Sequence, residues 1–246
     1  MFARDVRGVR YRPQLVAAKA KAGMQERANK RQRTPSSPRH AAPERRGRPT
    51  LRRDANTAAT REAIIKAARA AFAEHGFAAA ALDAIVTAAG VTTGALYHHF
   101  RDKRDLFIAV AESVEQEILD ELVTTDKADS PIWTRLEHGL CTTLEIAARP
   151  DVQRIIFTDA PTVVGVAEWR AVEIRYGFGL MHQTLSGLAA NGALIHTSAD
   201  LAARVLLGAL MEAAQAVVLA SSKERALRDA KNTLLAFARS LRRETN

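Results

Sequence analysis

The stretch IVTAAGVTTGALYHHFRDKRDLF, residues 85–107, decides the fold. It reads as a short helix, a tight turn through Gly90, a second short helix and the start of a third. Two short helices set at a steep angle around a Gly-containing turn form a helix-turn-helix, whose second helix is shaped to enter the DNA major groove. After the turn, Val91, Leu96 and Phe100 are spaced to face a small core. That leaves Thr92, Thr93, Tyr97 and His98 on the side that would meet DNA.

Working outward, the N-terminal flank has its own helix. Ile64, Ile65, Ala68, Ala71 and Phe72 recur at helical spacing. Gly76 should end that helix as a C′ residue. A short helix then covers Leu82 to Ala89 and stops at Gly90. Thr92 can cap the next helix, Thr93 to about His99, and Asp102 a long one carrying Leu106, Phe107, Val110, Val114 and Ile118 on one face.

The rest of the chain also predicts helices. They run over 133–148, over 151–158 with a break at Asp159-Ala160-Pro161, over 167–190, over 199–220 and over 223–242. Gly177, Gly179 and Gly187 inside the third of these are costly for a helix. They mark a kink or a close approach. Leu227, Ala230, Leu234, Phe237 and Leu241 form a stripe on the last helix. The stripe suits a dimer face formed with its copy and with the preceding helix; burial within one subunit gives the same pattern. No stretch shows strand alternation, so the fold class is all-α.

Charge is unevenly placed. Residues 1–54 hold 16 Lys and Arg against 4 Asp and Glu; the remainder holds 20 against 23. The basic character therefore belongs to the N-terminal arm, read as disordered in isolation, and its chemistry points to a polyanion such as nucleic acid. An alternative reading starts translation at Met24. The expected organisation is a basic arm over 1–54, a helix-turn-helix domain over 55–105, and a helical ligand-binding and dimerisation domain over 106–246.

Other classes fall away. Cys141 is the only cysteine, which excludes an internal disulfide framework and a multi-Cys zinc site. The apolar run at 201–220 is interrupted by Arg204, Glu212 and Gln215, and reads as a buried soluble helix rather than a membrane span. No secretory signal is visible, so a cytoplasmic protein is expected, associated with the nucleoid when on DNA. His182 and His196 lack partners at metal-ligand spacing, and Gly177-Phe178-Gly179 lacks the third glycine and strand of a dinucleotide site. No catalytic residue, metal or cofactor is expected, and the chain is not read as an enzyme.

Residues 60–110 resemble the DNA-binding domain of the tetracycline-repressor-like (TetR/AcrR) family of bacterial regulators. The resemblance is carried by Ile64-Ile65-Lys66-Ala67-Ala68, Phe72-Ala73-Glu74-His75-Gly76-Phe77, Ala88-Ala89-Gly90-Val91-Thr92, Gly94-Ala95-Leu96-Tyr97-His98-His99-Phe100 and Lys103-Arg104-Asp105-Leu106. It implies an N-terminal helix-turn-helix followed by an all-helical domain that binds a small molecule and dimerises. One departure is clear. The family has Thr or Ser at the start of the second helix, where this chain has Ala78-Ala79-Ala80-Ala81.

By this resemblance Thr92, Thr93, Gly94, Tyr97 and His98 form the recognition region. Thr93 and Tyr97 face the groove, with Tyr97 and His98 suited to phosphate oxygens. Gly94 permits close approach to DNA or packs between helices. Lys103, near a helix start, suits a phosphate. Arg101 and Arg104 are weaker candidates. In the arm, Arg45-Arg46-Gly47-Arg48-Pro49 resembles an AT-hook, whose Arg46 and Arg48 would enter a narrow A·T-rich minor groove; a generic basic linker is the alternative.

For the second domain, Trp133, Phe157, Trp169, Tyr176, Phe178 and Met181 are expected to enclose an apolar pocket. Tyr176, His182 and Gln215 are its expected polar groups. The expected partners are a double-stranded DNA operator, an inducer small molecule and a second copy. The rival reading is an architectural DNA-binding protein without a ligand, and a buried cavity discriminates between the two.

Overall fold

A computed structural model of the chain describes residues 48–126, 129–195 and 197–243. Four helices precede the first long connection: α1 (Arg48–Ala79), α2 (Leu82–Ala89), α3 (Thr93–His99) and α4 (Lys103–Thr125). Then come α5 (Ile132–Ala147) and α6 (Pro150–Val152), a π-helical stretch at Gln153–Asp159, and α7 (Ala160–Val164). They are followed by α8 (Val166–Glu173), a second π stretch at Ile174–Phe178, and α9 (Gly179–Ala190). The last two helices are α10 (Ala199–Leu219) and α11 (Lys223–Ser240). Among the described residues there is no strand, only an isolated antiparallel bridge between Leu194 and Arg242.

The helix ends follow the local chemistry. Gly76 interrupts α1 with φ of +76°, the left-handed side that glycine adopts without a Cβ penalty. A Cβ there would also overlap the Arg154 guanidinium. Gly90 closes α2 at φ 65°, with Val91 N donating to Val86 O at 3.2 Å, the 6→1 bond of a Schellman cap. Thr92 Oγ1 accepts from Ala95 N at 3.2 Å, and Asp102 Oδ1 from Asp105 N at 2.7 Å, so both expected caps are present. α2 starts without a side-chain cap, because Ala81 stands at its N-cap.

Two expectations need correcting here. The predicted break at Asp159-Ala160-Pro161 does not occur. Pro161 lies in the first turn of α7, where its missing N–H is tolerated, and the chain breaks at Gly165 instead. Residues 48–54, read as arm, are helical and open α1. Residues 52–246 form one compact unit.

The core has two parts. One joins α1–α4 to the π stretch and to α7 and α8. It contains Ile64, Phe72, Leu96 and Phe107, and also Ile155, Val164 and Trp169. Phe72 and Phe77 meet the Phe107 ring edge-on, at centroid distances of 5.2 and 5.3 Å. A boundary at 105/106 therefore falls inside continuous packing. The other part joins α5, α9, α10 and α11. The stripe on α11 belongs to it: Leu234 and Ala238 are buried, and Leu227, Phe237 and Leu241 pack on the same cluster. Within the subunit the stripe therefore meets this cluster, while Leu227, Phe237 and Leu241 stay half-buried. Ala202, Leu206, Leu210 and Val217 place α10 in this core, although the helix is long and apolar enough to cross a membrane.

Candidate DNA-binding face and effector cavity

α3 turns only Leu96 fully inward; Thr92, Thr93, Gly94, Tyr97 and His98 are exposed together. Tyr97 is 54% exposed, unusual for an aromatic residue with no ring partner. A Cβ on Gly94 would meet nothing closer than Thr92 Oγ1 at 3.9 Å. Internal packing therefore does not require glycine there. His99 is half-buried. Its imidazole is held below the ordinary value by desolvation, then by His98 and by Arg61, whose guanidinium lies over the Phe100 ring.

The neighbouring cations divide by geometry. Lys103 Nζ donates to Ala78 O at 3.1 Å and sits 5.0 Å from the Phe77 ring centroid. Its charge is thereby fixed beside the uncapped start of α2, where the hydroxyl of the family pattern is absent. Arg101 pairs with Asp105 at the surface. Arg104 faces the other way: it donates to Val163 O at 3.0 Å and Val164 O at 3.1 Å, and pairs with Glu168. Arg48 opens a helix, so it is not on an extended strap, and Arg46 lies outside the described residues.

The second site is a cavity of about 140 Å³ between α4, α5, α9, α10 and the first π stretch. Its walls are aliphatic, with Ile118, Leu122, Leu140, Leu207 and Leu210 among them. Of the residues expected from sequence, Phe157 and Met181 line it. Gln215 lines an adjoining cleft of about 300 Å³ that shares Phe157, Glu173 and Met211 with the cavity. The others do not reach it. Trp133 and Trp169 are buried in separate parts of the core, each with its indole N–H unpartnered among the described residues. Phe178 stacks on His182 with the Arg204 guanidinium 4.7 Å from its ring centroid. Tyr176 packs against the core shared with α1–α4, and burial raises its hydroxyl pKa.

Sequence reasoning missed the cavity's carboxylates. Glu115 and Glu173 both line it. Burial, and next the charge of Glu173, push the Glu115 carboxyl up to about 8. The signal was present: Glu115 interrupts the apolar face Ala111, Val114, Ile118 and Leu122 of α4.

Two contacts join cavity to head. Asp159 ends the π stretch that carries Ile156 and Phe157. Its Oδ2 accepts from Phe77 N at 2.7 Å, immediately after Gly76. Arg104, at the start of α4, holds the carbonyls of α7. π stretches are locally less regular than α-helix and recur at functional sites.

This architecture has matches among known proteins. Residues 64–110 match the model of bacterial regulatory proteins of the tetR family, and residues 133–241 match the tetracyclin repressor-like C-terminal domain. This chain belongs to the TetR family. Among its TetR relatives, the transcriptional repressor BepR of Brucella suis is 37% identical over 110 residues, 44% of this chain and 52% of BepR. The chain thus spans about half the length of that repressor. The TetC protein of transposon Tn10, from Escherichia coli, is 26% identical over 65% of this chain and 80% of TetC. The crystal structure of a TetR-family regulator from Pectobacterium atrosepticum superposes with a TM-score of 0.70 at 28% identity. That match covers 82% of this chain and all of the other.

Proposed function

We propose that this TetR-family chain is a homodimeric, ligand-responsive transcriptional repressor. Two copies of the exposed α3 face read a near-palindromic operator, and a small apolar molecule in the cavity releases it. The observation that carries the reading is the continuous path from cavity wall to DNA-binding head. Phe157 borders the cavity, Asp159 two residues on holds Phe77 N, and Arg104 ties α4 to α7. A molecule that displaces Phe157 must therefore shift groups on which the head rests, and such differential contact is what couples two sites. The cavity also favours this reading over the architectural one, which needs none.

The second copy docks on α10. Leu201, Val205 and Leu219 are 56%, 49% and 76% exposed on one side of a helix whose other side is core. Ala216, exposed on the same side, lets a partner helix approach closely. A twofold contact of this kind sets two recognition helices on equivalent half-sites.

In this reading Thr93 contacts bases while Tyr97, His98 and Lys103 hold phosphates. The protein acts in the cytoplasm, on the nucleoid. Selection of bound duplexes from a random pool, with the mass of the complex measured, tests it. An enriched inverted repeat bound by two chains is expected. A single half-site bound by a monomer overturns it.

A further inference from the structure

Glu115 is the group in the molecule whose chemistry least fits its surroundings. It lines the apolar cavity from α4 as a half-buried side chain, and among the described residues no hydrogen bond or ion pair reaches its carboxylate. Glu173 reaches the same cavity from the end of α8. Arg170 pairs with Glu173 at 3.1 Å and so answers one of the two charges. The other cation on the wall, Arg135, is held by Asp126, with Nε donating to Oδ1 at 2.6 Å. The cavity thus has three carboxylates, and among the described residues Arg135 and Arg170 are paired with Asp126 and Glu173 rather than with Glu115.

Resting on the cavity reading above, we infer that the ligand of this site is an apolar cation, an amine or quaternary ammonium with a small hydrophobic body, whose charge is met by Glu115 with Glu173 beside it. A carboxylate partly withdrawn from water without a partner is costly to ionise, and the cost is relieved when an opposite charge enters with its own apolar shell. A neutral ligand would leave the Glu115 carboxyl without a partner, and an anionic one would add another negative charge to a space already lined by carboxylates. The size also fits. A dry cavity near 150 Å³ accommodates a benzene-sized body, and Leu140, Leu207 and Leu210 supply its apolar contacts.

Protons report on the event. Desolvation and the charge of Glu173 hold the Glu115 carboxyl mostly protonated at neutral pH. A permanent cation must expel that proton into the buffer. The other titratable or charged groups on the surrounding elements are Glu112, Tyr176 and His138, with the pairs Arg170–Glu173 and Arg135–Asp126.

The test uses the full chain and three probes: phenyltrimethylammonium, its neutral isostere tert-butylbenzene, and benzoate. Calorimetry at pH 7 in two buffers of different ionisation heat reads affinity and proton release together. The ammonium should bind at least about tenfold more tightly than the other two, the ratio that one pKa unit of relieved interaction gives, and release nearly one proton. Glu115→Gln should remove the preference and the proton release while keeping tert-butylbenzene binding. Glu173→Gln should reduce the preference by less. Equal binding of all three probes, or unchanged ammonium binding by Glu115→Gln, overturns the cation assignment and leaves the cavity reading standing. Failure of all three probes to bind overturns both.

Discussion

Replacing Glu115 by Gln should change how stability depends on pH, in a direction and by an amount that follow from the cavity. The carboxyl moves from an ordinary 4.5 to about 8 on folding. Below pH 4.5 it is protonated in folded and unfolded chain alike, and its contribution to stability is fully present. Between pH 4.5 and 8 the folded chain keeps a proton that the unfolded chain has lost, so stability falls as pH rises. Each unit of that window is worth about 1.4 kcal/mol, which gives at most about 3 kcal/mol lost by pH 7. Gln holds the neutral shape at every pH. Unliganded wild type and Glu115→Gln should therefore melt together near pH 4.5. At pH 7 the variant should melt higher, by up to about 6–12 °C for a chain of this size. Melts at pH 5, 6, 7 and 8 at one fixed protein concentration check this, since a dimer's melting temperature depends on concentration. Other carboxylates titrate equally in both proteins, so the difference isolates Glu115 and whatever couples to it. A difference that stays constant from pH 5 to pH 8 refutes the argument, because it means that the carboxyl is ionised and hydrated where the fold encloses it.

The remaining predictions concern the two interfaces and the link between the sites. Tyr97→Ala should weaken binding to the selected operator by about 1 kcal/mol through a lost phosphate contact, with dimer mass unchanged, whereas Thr93→Ala should alter sequence preference; fluorescence titration on operator variants separates the two. Val205→Arg should yield folded monomers by sedimentation, whereas Leu234→Ala should cost about 2–5 kcal/mol of stability from a buried cavity and leave the dimer intact. Asp159→Ala removes the acceptor of Phe77 N and should cost about 1–3 kcal/mol. It should also shrink the ligand-induced loss of operator affinity while ligand still raises the melting temperature. Deleting residues 1–54 should flatten the salt dependence of DNA binding in a filter or anisotropy titration, because fewer counterions are released.

The helices were legible because their signals are local. Gly76, Gly90, Thr92 and Asp102 each stop or start a helix through groups within a few residues, and each does so in the structure. Where the determinant was distant, the reading failed. Pro161 looked like a breaker, yet its place in the first turn of α7 was set by the π stretch before it. The α11 stripe has the same period whether it meets a second copy or α5 and α10, and the contact with α5 and α10 is seen only in the packing. The exposed Leu201, Val205 and Leu219 sit on a helix whose apolar residues read as plain core in the sequence.

The cavity was misread for a reason of the same kind. The sequence expectation rests on aromatic residues, but large rings are what a core uses to fill space, and Trp133 and Trp169 do that here. The groups that distinguish a binding cavity from a core are the ones a core would reject. Glu115 is such a group, as it sits on the apolar face of α4 where an aliphatic side chain would pack without penalty. Gly177 is another: a Cβ there would press on Leu207 at 3.0 Å, so the second π stretch and α10 meet closely at the cavity's edge. Between these lies Phe157, which packs on both halves of the core and borders both the cavity and the adjoining cleft. In the proposed reading a ring in that position has no neutral response to a ligand: it would either hold its place and block entry or move and carry the π stretch with it. Asp159, two residues on, would then take the displacement to Phe77 and the helix-turn-helix.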